Sequence, residues 1–161
     1  MARCQVRDEI EIGAPPARVY AIAADPALVP LYAPEVARIE TVETRGDGRV
    51  RVRSHLRLLG LTVPFPYLYR YRPPVHYGGI QERGRLLTGY FHFSFRPRGE
   101  GTLVTNVEGI ASPVPGLARI AAFVYFRVLA RGGIRRELLR LKRMAEENHR
   151  AAERPAAVRP A

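Results

Sequence analysis

Between Gly48 and Gly60 the chain alternates residue by residue. Val50, Val52, Ser54, Leu56 and Leu58 share one parity, and Arg49, Arg51, Arg53, His55 and Arg57 share the other. Successive side chains of a strand point to opposite faces, so this stretch reads as a strand with one apolar and one cationic face. The same period of two appears over residues 3–12, where Cys4, Val6, Asp8, Ile10 and Ile12 oppose Arg7, Glu9 and Glu11. Further strands are predicted over 36–44, 48–59, 62–72, 75–82, 85–96 and 102–111. Turn chemistry separates them: "RGDG" at 45–48, Gly60, "RPP" at 72–74, "ERG" at 82–84 and "RPRGEG" at 96–101. Strands joined by short turns imply an antiparallel meander. The prolines of "VPFP" at 63–66 place that part of its strand at an edge or make it irregular.

The period changes to helical in two places. After the first strand, "GAPPARVYAIAADP" offers Pro15 or Pro16 as a helix start, Val19, Ile22 and Ala23 at helical spacing, and a stop at Asp25-Pro26. "ALVPLYAPEV" follows as a second short helical segment, broken by Pro30 and Pro34. After "PVPG" at 113–116, helix is predicted from Leu117 to Asn148. Leu117, Ile120, Ala121, Val124 and Val128 form one apolar stripe, and Ile134, Leu138, Leu141 and Ala145 form another, about a quarter turn away. Gly132-Gly133 lies between them and marks a kink or a break. Residues 117–131 are apolar nearly all round, which suits a segment that caps a cavity and hinges at these glycines, or a static kink with a dimer contact. Residues 150–161, "RAAERPAAVRPA", read as a disordered tail behind a single domain over 1–149.

Composition narrows the classes. With 161 residues, 47% hydrophobic and 25% charged, the chain can bury one real core. No apolar run approaches a membrane span, and the start "MARCQVRDEIEI" has no signal-peptide pattern, so a cytoplasmic location is expected. One cysteine, Cys4, excludes an internal disulfide and a multi-cysteine metal site. The net charge of +11 invites a nucleic-acid reading. Two details weaken it. Lys142 is the sole lysine, so the basicity is almost all arginine, as GC-rich coding produces. The excess also concentrates in residues 114–161, which hold 11 basic and 4 acidic residues. Attraction to anionic membrane surfaces or acidic partners stays open.

The order of elements is strand, two short helices, about six strands and a long C-terminal helix. With "IEIGAPPARVYAIAADPALVPLYAPEV", "LTGYFHFSFRPRGEGTLVT" and "LLRLKRMAEE", it resembles the START/Bet v 1-like (SRPBCC) superfamily. The resemblance covers roughly residues 5–148. Within that superfamily the chain looks most like the polyketide cyclase/dehydrase and coenzyme Q-binding group. It implies an α+β helix-grip fold, a curved antiparallel sheet of six to seven strands wrapped on the long helix, with a cavity between them. Where this group tends to carry Trp, this chain has Tyr90 or Phe91 and no Trp anywhere, so the pocket's shape does not carry over.

On that fold the apolar parities become candidate cavity walls: Val52, Ser54, Leu56 and Leu58, then Phe65, Tyr67 and Tyr69, then Phe91 and Phe93. Tyr32 of the second helical segment and Phe123 and Phe126 of the capping segment complete the candidate ligand-binding set. Small-molecule sites are concave and mostly apolar with few polar groups, and tyrosine adds a hydroxyl that seeks a partner when buried. The competing reading is that each of these residues is simply core.

Chemistry is harder to place. His55, His76, His92 and His149 are scattered without metal-ligand spacing, so no metal and no cofactor are expected. No serine has a nucleophile-elbow context, and no acid–base pair stands out, so no catalytic residue is assigned. Asp8 shares the apolar parity of the first strand and reads as a candidate buried carboxylate. His92 falls on the outer parity, and the inward parity of 102–111, with Asn106 and Glu108, is not fixed by pattern. Three functions stand: a carrier or binding protein for a small hydrophobic molecule (lipid, isoprenoid quinone or polyketide); a cofactor-independent polyketide cyclase/dehydratase; or a ribosome- or RNA-associated protein. Peripheral membrane contact and a homodimer are left open as partner readings.

Overall fold

The computed structural model describes residues 2–58, 60–82, 84, 86–124 and 133–153. Strand β1 (Ala2–Ile12) is followed by helices α1 (Pro16–Ala23) and α2 (Val29–Tyr32). Then come β2 (Val36–Thr44), β3 (Arg49–Leu58), β4 (Leu61–Arg72), β5 (His76–Gln81), β6 (Thr88–Arg98) and β7 (Gly101–Ser112). Helices α3 (Pro115–Val124) and α4 (Gly133–Glu153) end the described chain. The seven strands form one antiparallel sheet in the order β1-β7-β6-β5-β4-β3-β2. The helix-grip architecture expected from the order of elements is the one observed. Among the described residues no helix is long and apolar enough to cross a membrane.

The strand limits follow the turn chemistry, and the two prolines of β4 show why they are tolerated inside a sheet. β5 pairs with β4 only from Tyr67 to Arg72, so Pro64 and Pro66 lie where β4 has β3 alone as a ladder partner. The Pro66 carbonyl accepts from Glu82 N at 2.8 Å, on the side away from β3. A residue's N–H and C=O point to the same side of an antiparallel strand, so the missing N–H costs no bond to β3.

The core lies between the concave sheet face and the helices. α4 turns Ile134, Leu138, Leu141 and Ala145 inward against β1, α1 and α2, and Leu138 and Leu141 are fully buried. Its polar flank caps the exposed edge of β1. Lys142 Nζ donates to the Glu11 carbonyl at 2.7 Å, and Arg135 Nη1 donates to the Glu9 carbonyl at 3.0 Å. An edge strand presents unpaired backbone acceptors, and part of the C-terminal basic excess serves them.

One expectation on the C-terminal segment needs correction, and another falls outside the described residues. α4 continues to Glu153, so residues 150–153 are helical rather than tail; its apolar face ends at Ala145, but good helix formers carry it on. The Gly132-Gly133 hinge cannot be followed, because residues 125–132 lie outside the described residues.

Candidate functional site

The concave faces of β3–β7, with α2, the α2–β2 link and α4, enclose a cavity of about 300 Å³. Its walls come from alternate positions, as the pleat requires. β3 supplies Ser54, Leu56 and Leu58, and β4 supplies Phe65, Tyr67 and Tyr69. β5 adds Tyr77 and Gln81, and β6 adds Phe91 and Phe93 beside Gly89 and Tyr90. Leu87 and Ile110 sit toward the strand ends, and Val29, Ala33 and Val36 close the α2 side.

The aromatic wall is held by cross-strand contacts. Tyr77 stacks on Phe93 at 5.4 Å between centroids and on Tyr71 at 5.8 Å. Tyr69 and Phe91 meet edge-on at 5.3 Å across Gly79, which pairs with both. A Cβ at Gly79 would come within 2.6 Å of Tyr69 Cδ1 and 2.7 Å of Phe91 Cε1. The absent side chain is therefore what lets the two rings close over the middle strand. Ser54 Oγ and Tyr69 Oη are 3.1 Å apart, so the one polar interruption of the β3 face is partnered.

Beside the aromatics the cavity is acidic. Glu35 after α2, Glu108 on β7 and Glu137 on α4 all line it. One carboxylate oxygen from each lies within 4.8 Å of the other two. Asn106, fully buried, donates Nδ2 to Glu137 Oε2 at 3.2 Å and to Glu108 Oε1 at 3.4 Å. Among the described residues no lysine or arginine forms an ion pair with any of the three. Burial without a paired cation favours the neutral acid. Glu108 is pushed up to about 7, first by burial and then by the charge of Glu35, against the hydrogen bonds from Glu137 and Asn106. Burial raises Glu137 well above the usual carboxylate range, and Glu108 and Glu35 add to it. Glu35 is raised by burial, with Arg140 opposing. Tyr67 is pushed up to about 12 by burial and by Glu108, so it stays a neutral hydroxyl. The set can hold protons, pass one near neutral pH, or accept from a donor or cation.

Of the twelve residues singled out from the sequence, eight line this cavity: Ser54, Leu56, Leu58, Phe65, Tyr67, Tyr69, Phe91 and Phe93. Three do not. Tyr32 is fully buried behind the wall, where its hydroxyl donates to the Ala23 carbonyl at 2.6 Å and lies 3.4 Å from Tyr77 Oη. Val52, on the inward face, is closed over by the core and 1% exposed. Phe123 faces solvent at 64% exposure, because α3 packs on β1 and β7 with Ala118 buried, and among the described residues none of α3 lines the cavity. Phe126 lies outside the described residues. Asp8 is not a buried cavity acid; its Oδ1 is 3.5 Å from Arg135 Nη1 at the sheet edge.

The arginine row of β3 takes the opposite face. Arg51 bridges Glu82 and Glu43, both at 2.8 Å; Arg49 pairs with Asp47 at 3.1 Å; Arg53 is 3.7 Å from Glu40. Arg57 Nη1 donates to the Pro34 carbonyl at 2.6 Å, and His55 lies 3.2 Å from Glu40. His76 and His92 meet on this outer face at 5.2 Å, and burial lowers both from their ordinary value.

The sequence reading missed the carboxylate trio. Glu137 carried a signal, a lone acid beside the stripe of Ile134, Leu138 and Leu141. Glu108 required the β6–β7 register, which sets it opposite Phe91. Nothing in the pattern marked Glu35.

Residues 3–146 match the family described as polyketide cyclase / dehydrase and lipid transport. A solved structure from Thermus thermophilus is 26% identical, with a TM-score of 0.65, over 93% of this chain and 99% of that one. An aromatase/cyclase from a Streptomyces species is 17% identical at TM-score 0.73, over 94% of this chain and 98% of that one. A START superfamily protein from Mycobacterium smegmatis is 18% identical at TM-score 0.61, over 92% and 98%. At the identities of these last two the likeness is one of fold. No curated protein matches the chain. With nearly its whole described length matched, the chain belongs to the polyketide cyclase/dehydrase and lipid transport family.

Proposed function

We propose that this protein binds a small, mostly apolar organic molecule in the cavity between sheet and helices, as a cytoplasmic carrier or binding protein. The observation that carries this reading is the cavity of about 300 Å³ walled by aromatic and aliphatic side chains. That volume lies at the lower end of the range for ligand sites. It favours a compact ring system or a short chain over a full isoprenoid tail. Apolar ligand surface removed from water supplies the affinity, at about 25 cal/mol per Å², and the acidic end orients a polar group. Native mass spectrometry of the protein purified from its own cells tests the reading. A stoichiometric adduct released by organic solvent and apolar in chromatography is expected. An adduct that is polar and retained without the cavity would contradict it.

A second reading is cyclase/dehydratase chemistry, favoured by Glu108. An acid pushed up to about 7 in an aromatic cavity can both take and return a proton near neutral pH. Ring closure of a poly-β-ketone removes a proton from carbon and delivers one to a carbonyl oxygen; loss of water then follows. Conversion of a poly-β-ketone thioester mimic, followed by mass loss of water, decides it. Turnover that survives Glu108→Gln unchanged would remove Glu108 from the step.

A further inference from the structure

We propose that the acidic end of the cavity is a binding site for a protonated amine, so that the ligand is an apolar, preferably aromatic, ammonium compound held by Glu35, Glu108 and Glu137. The inference rests on the binding reading above and adds the chemistry of the ligand's head.

Three carboxylates from three distant segments converge on one wall of the cavity, each with an oxygen within 4.8 Å of the others. Asn106 Nδ2 donates to Glu137 and to Glu108, and those two carboxyls share a hydrogen bond with each other. The same fully buried amide leaves its Oδ1 with no hydrogen-bond partner at all. Buried acceptors without donors are rare because each gives up its hydrogen bonds to water and gains none in return. This end of the cavity therefore gathers three carboxyl groups and an orphan amide oxygen, and among the described residues no cation is ion-paired with any of the three acids. A water molecule can donate but brings no charge. An alkylammonium brings three N–H donors and one positive charge in a single group.

The surrounding wall distinguishes an organic cation from a metal ion. Tyr67 and Phe91 lie beside Glu108, with Tyr69 behind them. Aromatic faces attract an organic cation and bury the carbon skeleton attached to it. A hard divalent ion takes six to eight oxygens, and this wall turns rings and aliphatic side chains to most of the space. The cavity is also far larger than a bare ion needs.

The test pairs two ligands of the same shape, naphthylethylamine and naphthylethanol, at about pH 8, where the alkylamine is still protonated. Binding is read through tyrosine emission, since the chain has no tryptophan and Tyr67, Tyr69, Tyr77 and Tyr90 line the site. The ammonium is expected to bind tighter than the alcohol by about tenfold or more, equivalent to about 1.4 kcal/mol. In Glu108→Gln and, separately, Glu35→Gln, that ratio should fall toward one. Two variants are used so that a folding defect in either leaves the other readable. Binding of the alcohol tests the cavity itself, and the ratio tests the amine site. Equal affinity for both ligands in the unaltered protein would overturn the proposal while leaving apolar binding intact. A ratio unmoved by both variants, or one abolished by millimolar manganese or calcium, would overturn it too.

Discussion

Replacing Glu108 by Gln removes a buried titratable group with little change of shape, and its effect on stability should depend on pH in a definite sense. In the folded protein the carboxyl keeps its proton to about pH 7, whereas its ordinary value is 4.5. Between those values the folded state holds more protons than the unfolded chain, so stability falls as pH rises. At about 1.4 kcal/mol per pH unit the full penalty is roughly 3 kcal/mol, most of which falls between about pH 5 and about pH 8. Glutamine has no such penalty. His76 and His92, both lowered from 6.5, act in the opposite direction, because the folded state sheds their protons first. They are common to both proteins and cancel in the difference. The stability of Glu108→Gln relative to the unaltered protein should therefore rise by roughly 2–3 kcal/mol from about pH 5 to about pH 8. In thermal unfolding that is about 4–12 °C of relative Tm for a chain of this size. Urea denaturation at the two pH values measures it directly. A difference that stays flat between them would refute the claim that Glu108 is a desolvated acid.

Three further substitutions probe the scaffold. Gly79→Ala forces a Cβ between Tyr69 and Phe91 and should cost about 1–3 kcal/mol by urea denaturation, with weaker binding of an apolar probe. Tyr32→Phe leaves the Ala23 carbonyl without the hydroxyl that meets it at 2.6 Å, and a loss of about 1–3 kcal/mol in the same assay is expected. Leu138→Ala opens a void at a fully buried position of α4 and should lower stability by about 2–5 kcal/mol; a change under about 1 kcal/mol would mean α4 is not part of the cooperative core.

Alternation in β3, β4 and β6 made the cavity's apolar walls legible, because a pleated strand that grips a core must keep one face greasy. The turn residues set the strand limits within a few positions for the same local reason. What escaped was convergence. Glu35, Glu108 and Glu137 meet only through the β6–β7 register and the docking of α4, and these are long-range facts with no spacing in sequence. Tyr32 shows the converse error: an aromatic in the right region, read as a wall, is instead spent on a hydrogen bond that ties α2 to α1. The conspicuous arginines of β3 proved to be a paired outer face, matched by Glu40, Glu43, Asp47 and Glu82. Arg135 and Lys142 belong to the edge of β1. Much of the charge that first suggests a polyanion partner is thus engaged within the fold.

The central claim is that apolar ligands enter the sheet–helix cavity. Intermolecular NOEs between naphthylethanol and specifically labelled methyl groups test it most directly. The account predicts contacts to Leu56, Leu58, Leu87 and Ile110, which line the cavity. Contacts confined to Leu61, Ile120 and Val124, which are exposed on the outside of the fold, would contradict it.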